Sequence, residues 1–422
     1  MVEFRTIKGT HDLLPDELFI WRRVENSIHT SMQQNGYCEI RTPVFENTEL
    51  FERGIGVDTD IVNKEMYTWT DQGGNNLTLK PELTAPVVRA YIQHQLGNKT
   101  PIHRLYYFDA LFRRERPQKG RQRQFYQFGA EAIGSPNPEQ DAEIIALAYN
   151  IYKGFDIQDM TVRLNSIGSA EIRPAYLKTL RSSVRKIENI LCKTCQTRIE
   201  KNALRLFDCK NSQCQQLLDE YVPIIFESIS DDDQTHFDMV TRILNEMDIP
   251  FFHDKKLVRG LDYYSHTTFE ITSSALGAQD ALCGGGRYNG LIEQLGGKST
   301  PAVGFAAGVE RLILAIDEQE SSVKPPDIYI VHLGDKAAIT ASKLANDLRN
   351  NCGKTVVLET LRRSLKAQMR EAGRCEAETT IIIGDEEISN NKIIVKDMST
   401  GKQQDIIISD AIYHFSTSPE ND

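Results

Sequence analysis

The first clear pattern in the chain is an apolar stripe with helical spacing near its start. The stripe follows Pro15 and two acidic residues, and it ends before Gly36. Its members are Leu18, Trp21, Val24, Ile28 and Met32. This arrangement predicts an amphipathic helix with a proline in its first turn. The run at 37–44 then predicts a strand, and Pro43 favours an edge or interface position because proline donates nothing to a ladder.

A second helix is predicted over about 84–97, after a glycine-containing loop at 52–56 and a strand that ends in L-T-L-K-P-E. Glu82 and Thr84 lie at the corner between that strand and that helix. Such corners are frequent places for ligand contacts. The alternative is that the carboxylate and the hydroxyl bind free backbone groups at the helix start. The local pattern leaves both interpretations open.

Two β-rich runs at 105–112 and 124–133 predict a hairpin, because a turn with Pro117 and Gly120 separates them. A period of two places four residues on one face of the second strand: Phe125, Gln127, Gly129 and Glu131. Polar side chains on either side of a glycine are not typical of a core. This face therefore predicts the floor of a cleft that recognises a polar molecule.

The turn of this hairpin concentrates positive charge in a chain whose formal net charge is −10. Against the single acid Glu115 stand six cations: Arg113, Arg114, Arg116, Lys119, Arg121 and Arg123. Arginine suits phosphate because its planar fork donates two hydrogen bonds at once. The loop therefore indicates a polyphosphate site above the polar floor, and the alternative is a solvated basic loop.

The sequence pattern changes at two points in the middle of the chain. Residues 168–252 are helical, charged and poor in strand signals, which indicates an insertion between β elements. From residue 257 the pattern is again typical of strands, and Arg259 lies among apolar neighbours, where a charge requires an anionic partner. The glycines of C-G-G-G-R-Y at 283–288 allow close backbone approach. The stretch 301–314 predicts a strand entering a helix, with Arg311 near the helix start, a ready anion site.

A linker, S-S-V-K-P-P at 321–326, precedes a different arrangement of strands and helices. Strands are predicted at 327–333, 354–358, 379–384 and 392–397, and helices at 336–350 and 363–372. This alternation predicts a separate α/β domain of mixed sheet and flanking helices. The chain as a whole is expected to be α+β.

Composition excludes several classes of protein. No run approaches the roughly 18 apolar residues of a membrane span, and the N-terminal segment lacks a signal-peptide core, so a cytoplasmic protein is expected. A sequence pI of about 5.5 argues against indiscriminate nucleic-acid binding, although a local basic patch can still hold a specific one.

Four of the eight cysteines cluster in the predicted insertion. They form C-x2-C (Cys192, Cys195) and C-x4-C (Cys209, Cys214), with thirteen residues between the pairs. This spacing is compatible with a tetrahedral structural zinc site. The alternative is four cysteines on a helical hairpin without a metal, and both remain open.

The chain resembles the bacterial histidyl-tRNA synthetases in motifs that span nearly its whole length in the right order. The motifs are K-G-T-H-D-L-L-P (8–15), F-R-R-E-R-P-Q-K-G-R (112–121), Q-F-Y-Q-F-G-A-E (124–131), L-V-R-G-L-D-Y-Y (257–264), G-G-G-R-Y (284–288) and G-F-A-A-G-V-E-R-L (304–312). The resemblance implies a class II synthetase core of antiparallel sheet at 1–167 and 253–320. It also implies a helical insertion at 168–252 and an anticodon-binding α/β domain at 327–422.

The resemblance assigns roles to individual side chains. It implies that ATP is bound by Arg113, Glu115, Arg121, Phe125 and Arg311. It implies that histidine is bound by Glu82, Thr84, Gln127, Glu131, Tyr263, Tyr264 and Tyr288, with Arg287 also lining the pocket. Arg259 would be catalytic together with Arg113, at the place where other class II enzymes hold a metal ion, and no protein ligand to a metal is implied in the site.

The same resemblance implies the partners. ATP with Mg²⁺ and L-histidine would be the small substrates, tRNA(His) the acceptor, and a homodimer the assembly, formed through the first helix and the strand with Pro43. Lys80 and Leu83 depart from the family's usual R-P-E-G-T, and Ala203 replaces the proline of N-P-L-R. The residues implied to act in the site remain, so activity is expected.

Two other functions are compatible with a core of this kind. A catalytically silent paralogue that binds histidine and regulates its biosynthesis would lack the arginines and the C-terminal domain, which this chain has. A class II synthetase for threonine, proline or glycine is disfavoured by R-G-L-D-Y-Y together with Glu131.

Overall fold

The structure, a computed structural model, describes residues 3–57, 59–118, 120–276, 280–316 and 324–416. The chain divides into two compact units, with the boundary between residues 319 and 320. The helices are α1 (Pro15–Gln34), α2 (Thr48–Ile55), α3 (Thr84–Gln93), α4 (Pro138–Lys153), α5 (Arg173–Val184), α6 (Lys193–Lys201), α7 (Ser212–Tyr221), α8 (Asp231–Glu246), α9 (Leu291–Gln294), α10 (Val309–Ala315), α11 (Asp335–Cys352), α12 (Leu365–Arg374), α13 (Asp385–Ser389) and α14 (Ala411–Ser416). The strands are β1 (Cys38–Glu39), β2 (Phe45–Asn47), β3 (Tyr67–Thr70), β4 (Asn76–Leu79), β5 (His103–Phe112), β6 (Gln124–Ile133), β7 (Met160–Ser166), β8 (Phe251–His253), β9 (Ser265–Ser273), β10 (Ala281–Arg287), β11 (Ala302–Gly308), β12 (Ile328–His332), β13 (Val356–Leu358), β14 (Thr379–Ile383), β15 (Lys392–Asp397) and β16 (Gln403–Ile407).

An eight-stranded sheet forms the centre of the first unit, in the order β1-β5-β6-β11-β10-β9-β7-β8. The six inner strands pair antiparallel, and β1 and β8 each add a parallel edge. A small antiparallel sheet, β2-β4-β3, lies elsewhere in the same unit. This is the antiparallel core expected from the sequence.

The predicted hairpin is confirmed with its register. Strands β5 and β6 pair from His103 opposite Ile133 to Phe112 opposite Gln124. One face of β6 packs into the main hydrophobic core through Phe128, Ala130 and Ala132, with Tyr126 partly buried beside them. The opposite face carries the polar set, as the period of two predicts.

The packing of α1 explains the first apolar stripe. Trp21, Val24, Ile28 and Met32 are buried on one side of the helix and join the core against the sheet. Acids at its start and Pro15 in its first turn fit the expected cap chemistry. The helix is thereby fixed to the back of the hairpin.

Three local predictions are wrong. The segment 52–56 is not a loop, because α2 runs through it to Ile55 with Phe51 and Ile55 buried. The strand expected at 37–44 is reduced to the two residues of β1. Residues 257–264 form a loop rather than a strand, and β9 begins only at Ser265.

The predicted insertion is helical, but its last helix belongs to the core. Helices α5, α6 and α7 pack outside the main core, in a second hydrophobic cluster that they share with Tyr263, Tyr264 and Tyr288. Helix α8 instead packs Phe237, Val240 and Leu244 into the main core beside α4. The inserted module therefore ends before α8, and the apolar stripe of α8 is a core contact.

The second unit has the mixed α/β arrangement expected from its sequence. Its five strands lie in the order β13-β12-β14-β15-β16, with the first three parallel and the last two antiparallel. All four predicted strands and both predicted helices are present, and α13, β16 and α14 were not predicted. Residues 321–323 of the predicted linker lie outside the described residues.

Across the part of the chain that the structure describes, no helix combines the length and the apolar character needed to cross a membrane.

Candidate active site

The polar face of β6 forms one wall of the site, and glycines opposite it make room. Gly304 of β11 pairs with Glu131, and Gly308 pairs with Gln127. A Cβ on Gly304 would collide with the Glu131 carboxylate. The carboxylate on the neighbouring strand therefore explains Gly304, whereas a Cβ on Gly308 would meet only the Arg311 side chain at ordinary contact distance.

Glu131 is held by three hydroxyl groups. Thr84 donates to Oε1 over 2.7 Å and Tyr107 to the same oxygen over 3.2 Å, while Tyr288 donates to Oε2 over 2.5 Å. Burial raises the pKa of Glu131 to about 7 despite these bonds. A carboxylate offers about four lone-pair positions, so one remains for a further donor.

Glu82 caps the helix that follows it. Its two carboxylate oxygens accept the backbone N–H groups of Thr84 at 2.8 Å and Ala85 at 3.0 Å. The interpretation that these side chains bind free backbone groups is therefore correct for the Glu82 carboxylate but not for the Thr84 hydroxyl, which donates to Glu131. The two bonds leave lone pairs of Glu82 available to a ligand. Burial raises the pKa of Glu82 to about 7, because these two N–H groups offset only part of the desolvation of its charge.

The tyrosines surround the floor. The rings of Tyr263 and Tyr264 lie 4.7 Å apart between centroids, and Tyr263 also meets Tyr288 edge-on at 5.7 Å. All three are buried. The carbonyl oxygen of the Gln127 amide is buried and lacks a hydrogen-bond partner among the described residues. An unpartnered acceptor beside aromatic walls suits a small cationic or polar ligand.

The cationic residues of the hairpin loop line the other side. Arg113 donates through Nε to the carbonyl of Pro81 at 2.8 Å, and its guanidinium lies 5.3 Å from the ring centre of Phe125. Arg121 donates to Glu115 over 3.1 Å. The basic loop is thus folded onto the site, and the alternative of a merely solvated loop is not supported for these arginines.

Arg311 adds positive charge from the first turn of α10, where the sequence predicted it. It donates to the backbone carbonyl of Ala281 at 2.8 Å. Burial and then the charge of Arg121 lower the pKa of Arg311 below its usual value. The two guanidinium groups carry like charges that repel each other, and an anion bound between them would offset this repulsion.

Arg259 has the anionic partner that its apolar sequence neighbours predicted. The partner is Glu270 of β9, which accepts from Nη1 at 3.2 Å. The guanidinium lies over Gly284, where a Cβ would collide with it. Because Glu270 and Gly284 face each other across β9 and β10, the first glycine of G-G-G-R-Y provides the space for Arg259.

These residues line one cavity of about 940 Å³. It is bordered by Glu82, Thr84, Arg113, Glu115, Arg121, Phe125, Gln127, Arg259, Tyr263, Tyr264 and Arg311. Glu131 and Tyr288 are buried and do not line it, but Thr84, which does, donates to Glu131. Lys119 lies outside the described residues.

Arg287 does not line the cavity, so this part of the expectation is wrong. Its side chain is 0% exposed and binds Asp141 at the start of α4, together with the carbonyls of Ser135 and Asn137. Burial alone would raise the pKa of Asp141, but His236 and Arg287 lower it below its ordinary value. Arg287 is a structural residue that joins β10 to α4.

Sequence reasoning missed several residues at the cavity. Glu270 was hidden in the apolar run F-E-I, although its alternation with buried Phe269 and Ile271 placed it on the opposite face. The inserted module also contributes cations to the cavity: Arg198, Arg205 and Lys210. No local motif distinguishes these three from ordinary surface charges.

An antiparallel sheet that presents an arginine-bearing hairpin and a strand–helix arginine to one cavity is the catalytic arrangement of a class II aminoacyl-tRNA synthetase. A family model for histidyl-tRNA synthetase matches residues 9–312, and one for an anticodon binding domain matches residues 327–416. This chain belongs to the histidyl-tRNA synthetase family.

Relatives match over the full length. The chain is 45% identical over 416 residues to the histidine–tRNA ligase of Halothermothrix orenii, covering 97% of this chain and 98% of that protein. It is 45% identical over 427 residues to that of Chloroherpeton thalassium, covering 100% of both. The crystal structure of apo S. aureus histidyl-tRNA synthetase superposes with a TM-score of 0.81 at 37% identity, covering 98% of this chain and 100% of that one.

Proposed function

We propose that this protein activates L-histidine with ATP and transfers the histidyl group to the 3′ end of tRNA(His). The observation that carries the proposal is the shared cavity, where four arginines face a pocket of buried carboxylates and tyrosines. The arginines are Arg113, Arg121, Arg259 and Arg311. Such a cavity can hold a triphosphate beside a small zwitterion, which the first half-reaction requires.

ATP would lie along the arginine side. Arg113 is held by the Pro81 carbonyl and the Phe125 ring, and its terminal N–H groups would bind the α-phosphate. Phe125 and Arg311 would enclose the adenine, with Arg121 on the bent triphosphate and Glu115 on the base. Placing the phosphates between Arg121 and Arg311 would relieve the repulsion between these two charges.

Mg²⁺ is part of the proposal as the ion that accompanies ATP and balances the charge of its phosphates. The carboxylates of Glu65 and Glu115 at the cavity are oxygen donors of the type that Mg²⁺ accepts. Mg²⁺ keeps several waters and is held mainly by substrate phosphates in such sites, so we assign it no protein ligand.

Histidine would occupy the carboxylate and tyrosine side. Its ammonium group would bind Glu82, Thr84 and the unpartnered Gln127 oxygen. Its imidazole would donate to the one lone-pair position that Glu131 retains, beside Tyr264. A site with buried polar groups discriminates by large factors against substrates that cannot form hydrogen bonds with those groups. The contact between the imidazole and Glu131 would therefore account for the selectivity for histidine.

Arg259 would serve the reacting centre. The carboxylate of histidine attacks the α-phosphorus, pyrophosphate leaves, and negative charge builds on the equatorial oxygens. Arg259 lies across the cavity from the hairpin and is oriented by Glu270. A charge fixed before the reaction stabilises the transition state without reorganisation, and together with Arg113 it also positions the attack.

The tRNA would be bound by both units. The family match of residues 327–416 to an anticodon binding domain supports a reader of the anticodon there. Arg198 and Lys210, which line the cavity, would contact the phosphates of the acceptor end, whereas Arg205 is already paired with Asp60 and Asp208. The hydroxyl of the terminal adenosine then attacks the histidyl carbonyl, and AMP leaves.

The homodimer and the cytoplasm belong to the same proposal. Val44 and Phe45, next to the segment with Pro43, are 45% and 50% exposed, which suits a contact between two copies. The eight free cysteines fit a reducing compartment, where tRNA charging takes place. Light scattering coupled to gel filtration should give the mass of two chains, and the mass of one would exclude the dimer.

The test of the function is the charging of tRNA. Incubation with ATP, Mg²⁺, radioactive histidine and a bacterial tRNA pool should yield acid-precipitable histidine that is released by mild base. Periodate-oxidised tRNA, which lacks the accepting diol, is the matched control and should accept none. A protein that binds histidine but gives no charging with intact tRNA would instead be the silent paralogue.

A further inference from the structure

The four clustered cysteines of the inserted module come together in the structure. The Sγ atoms of Cys192, Cys195, Cys209 and Cys214 all lie within 4.8 Å of one another. Cys195 and Cys214 are buried, and the other two are half-buried. Two short sequence pairs that are separated by thirteen residues thus converge on one point.

The distances fit metal ligands better than disulfides. Cys192 Sγ and Cys209 Sγ are 3.8 Å apart. Four thiolates at about 2.3 Å from a tetrahedral Zn²⁺ are separated by about 3.8 Å along each edge. A disulfide would require about 2.05 Å. All four cysteines are free in the structure.

Backbone groups already point at these sulfurs. The N–H of Cys192 donates to Cys214 Sγ at 3.3 Å, and the N–H of Asn211 donates to Cys209 Sγ at 3.5 Å. Such donors stabilise thiolate charge and orient ligands around a metal. Cys192 occupies the N-cap position of α6, and the Asn211 side chain caps α7 by accepting from the N–H of Cys214, so both helix starts help to fix the ligand positions.

We propose that Cys192, Cys195, Cys209 and Cys214 bind one structural Zn²⁺. Four thiolates with no further ligand position make a closed tetrahedral site, which is the structural rather than the catalytic type. The soft ligand set selects zinc over the Mg²⁺ that accompanies ATP. None of the four cysteines is proposed to act in histidine activation, although Cys209 also lies at the surface of the cavity, and the zinc proposal does not rest on the proposed function.

The metal would fix the part of the module that reaches the catalytic core. Between the two cysteine pairs, Asn202 donates to Asp262 at 2.8 Å and Arg205 binds Asp60 at 2.7 Å. Asp262 lies in the loop that carries Arg259 and Tyr263. Zinc would therefore hold the module against the active-site loop, because its binding free energy is folding free energy for the segment around it.

Elemental analysis tests the site directly. The full-length protein, expressed in zinc-supplemented medium and purified under reducing conditions without chelators, should hold about one zinc per chain. Protein that still holds less than about 0.1 zinc per chain after incubation with Zn²⁺ and gel filtration would overturn the proposal. Replacement of the metal by Co²⁺ should give the absorption of a tetrahedral cobalt thiolate site.

Variants assign the ligands. Cys209→Ser, at a half-buried position, should lower zinc to below about 0.2 per chain, and Cys375→Ser in the second unit is the matched control that should retain it. Full zinc in Cys209→Ser, or equal loss in Cys375→Ser, would show that the four-cysteine site is wrong. Limited proteolysis should cut the chelated wild-type protein within the module at least 10-fold faster than the zinc-loaded protein, and unchanged cleavage would contradict the structural role.

Discussion

At the scale of single residues, the site depends on two buried carboxylates with different tasks. Glu82 satisfies the start of α3, and Glu131 is surrounded by three hydroxyl donors. Burial raises the pKa of both groups to about 7. Buried carboxylates with raised pKa values are typical of functional sites. A bound cation or N–H donor can replace the hydrogen bonds to water that the carboxylate loses on burial.

Glu131→Gln tests the imidazole contact, because it keeps the size of the side chain and removes its charge. Loss of one charge-assisted hydrogen bond should cost about 1.5–3 kcal/mol, which is roughly 10- to 150-fold in kcat/KM for histidine. Pyrophosphate exchange measures this ratio. The KM for ATP should change little, and Glu359→Gln, a buried carboxylate of the second unit, is the matched control. An equal loss for ATP would mean that Glu131 only supports the hairpin.

The pH dependence of histidine use follows from the same two groups. Their folded pKa values lie above the ordinary value of 4.5, so the stability that comes from protonation is complete below about pH 4.5 and is lost as pH rises through about 7. Binding of histidine needs the ionised forms. The kcat/KM for histidine should therefore fall as pH decreases from about 8 to 6.

The substrate also titrates in this range, so the comparison with Glu131→Gln is needed. The variant should lose the part of the profile that comes from Glu131 and keep the part that comes from the free imidazole. Identical profile shapes in the two proteins would exclude Glu131 as a titrating group of the site.

Arg259→Ala separates chemistry from binding. Removal of one preorganised charge donor should slow adenylation about 100-fold or more. Transfer from preformed histidyl-adenylate should suffer much less, because phosphorus is no longer the reacting centre. Lysine should rescue only in part, since a point charge cannot bridge two oxygens in one plane. Single-turnover kinetics measure both steps, and equal slowing of transfer would make Arg259 a structural ion-pair member.

At the scale of elements, a buried ion pair holds the sheet to its main helix. Arg287 of β10 and Asp141 of α4 are both fully buried and bound to each other. A second pair, Arg104 of β5 with Glu143 of α4, makes a similar link at the surface. The pairs differ in burial and in the two backbone carbonyls that Arg287 also binds, so they compare a buried link with a partly exposed one.

Arg287→Ala should lower the free energy of unfolding by about 3–5 kcal/mol, because it leaves Asp141 charged, buried and without its main partner. Arg104→Ala should cost about 0–1 kcal/mol, since water solvates the Glu143 that remains. Urea unfolding of the catalytic unit measures both. If Arg287→Ala kept full stability but lost histidine binding, the assignment of Arg287 as a structural residue would fail.

The sequence predicts best the helices and strands whose apolar residues repeat with one spacing along the whole element. Alternation along 124–133 fixed both faces of β6, and the stripe from Leu18 to Met32 fixed α1. Residues 257–264 have strand-forming composition but form a loop, because Arg259 must cross to Glu270 over Gly284. Helix α8 looked like part of the insertion because its partner α4 lies far away in sequence.

The sequence predicted which types of residue form the site better than it predicted the contacts between them. Its glycines and arginines stand in recognisable motifs, whereas Glu270 and the cations of the module reach the cavity only through pairings distant in sequence. The role of Arg287 was missed for the same reason. A motif shows that a residue matters, but only its neighbours show whether it touches a ligand.

At the scale of the whole molecule, the chain forms two compact units, and only the first contains the cavity proposed for histidine activation. Every residue proposed to act in adenylation precedes Ile316. The second unit has its own hydrophobic core, built between α11 and the β12–β16 sheet. We therefore expect the units to be separable in function as well as in fold.

Truncation after Ile316 tests this division. Histidine-dependent pyrophosphate exchange should remain measurable, because the cavity is intact, and aminoacylation should fall strongly, because the proposed anticodon reader is gone. The mass of the truncated protein should be checked in parallel, since a weakened dimer would lower both activities. Full charging of tRNA by the truncated protein would show that residues 327–422 are not a tRNA module.

The central claim is that the cavity activates histidine and no other amino acid. Its most direct test is ATP–pyrophosphate exchange by the full-length protein with each of the twenty amino acids in turn. Histidine should support exchange, and the other nineteen should remain near background. Exchange with a different amino acid and none with histidine would contradict the assignment of Glu131 and its tyrosines as the imidazole site.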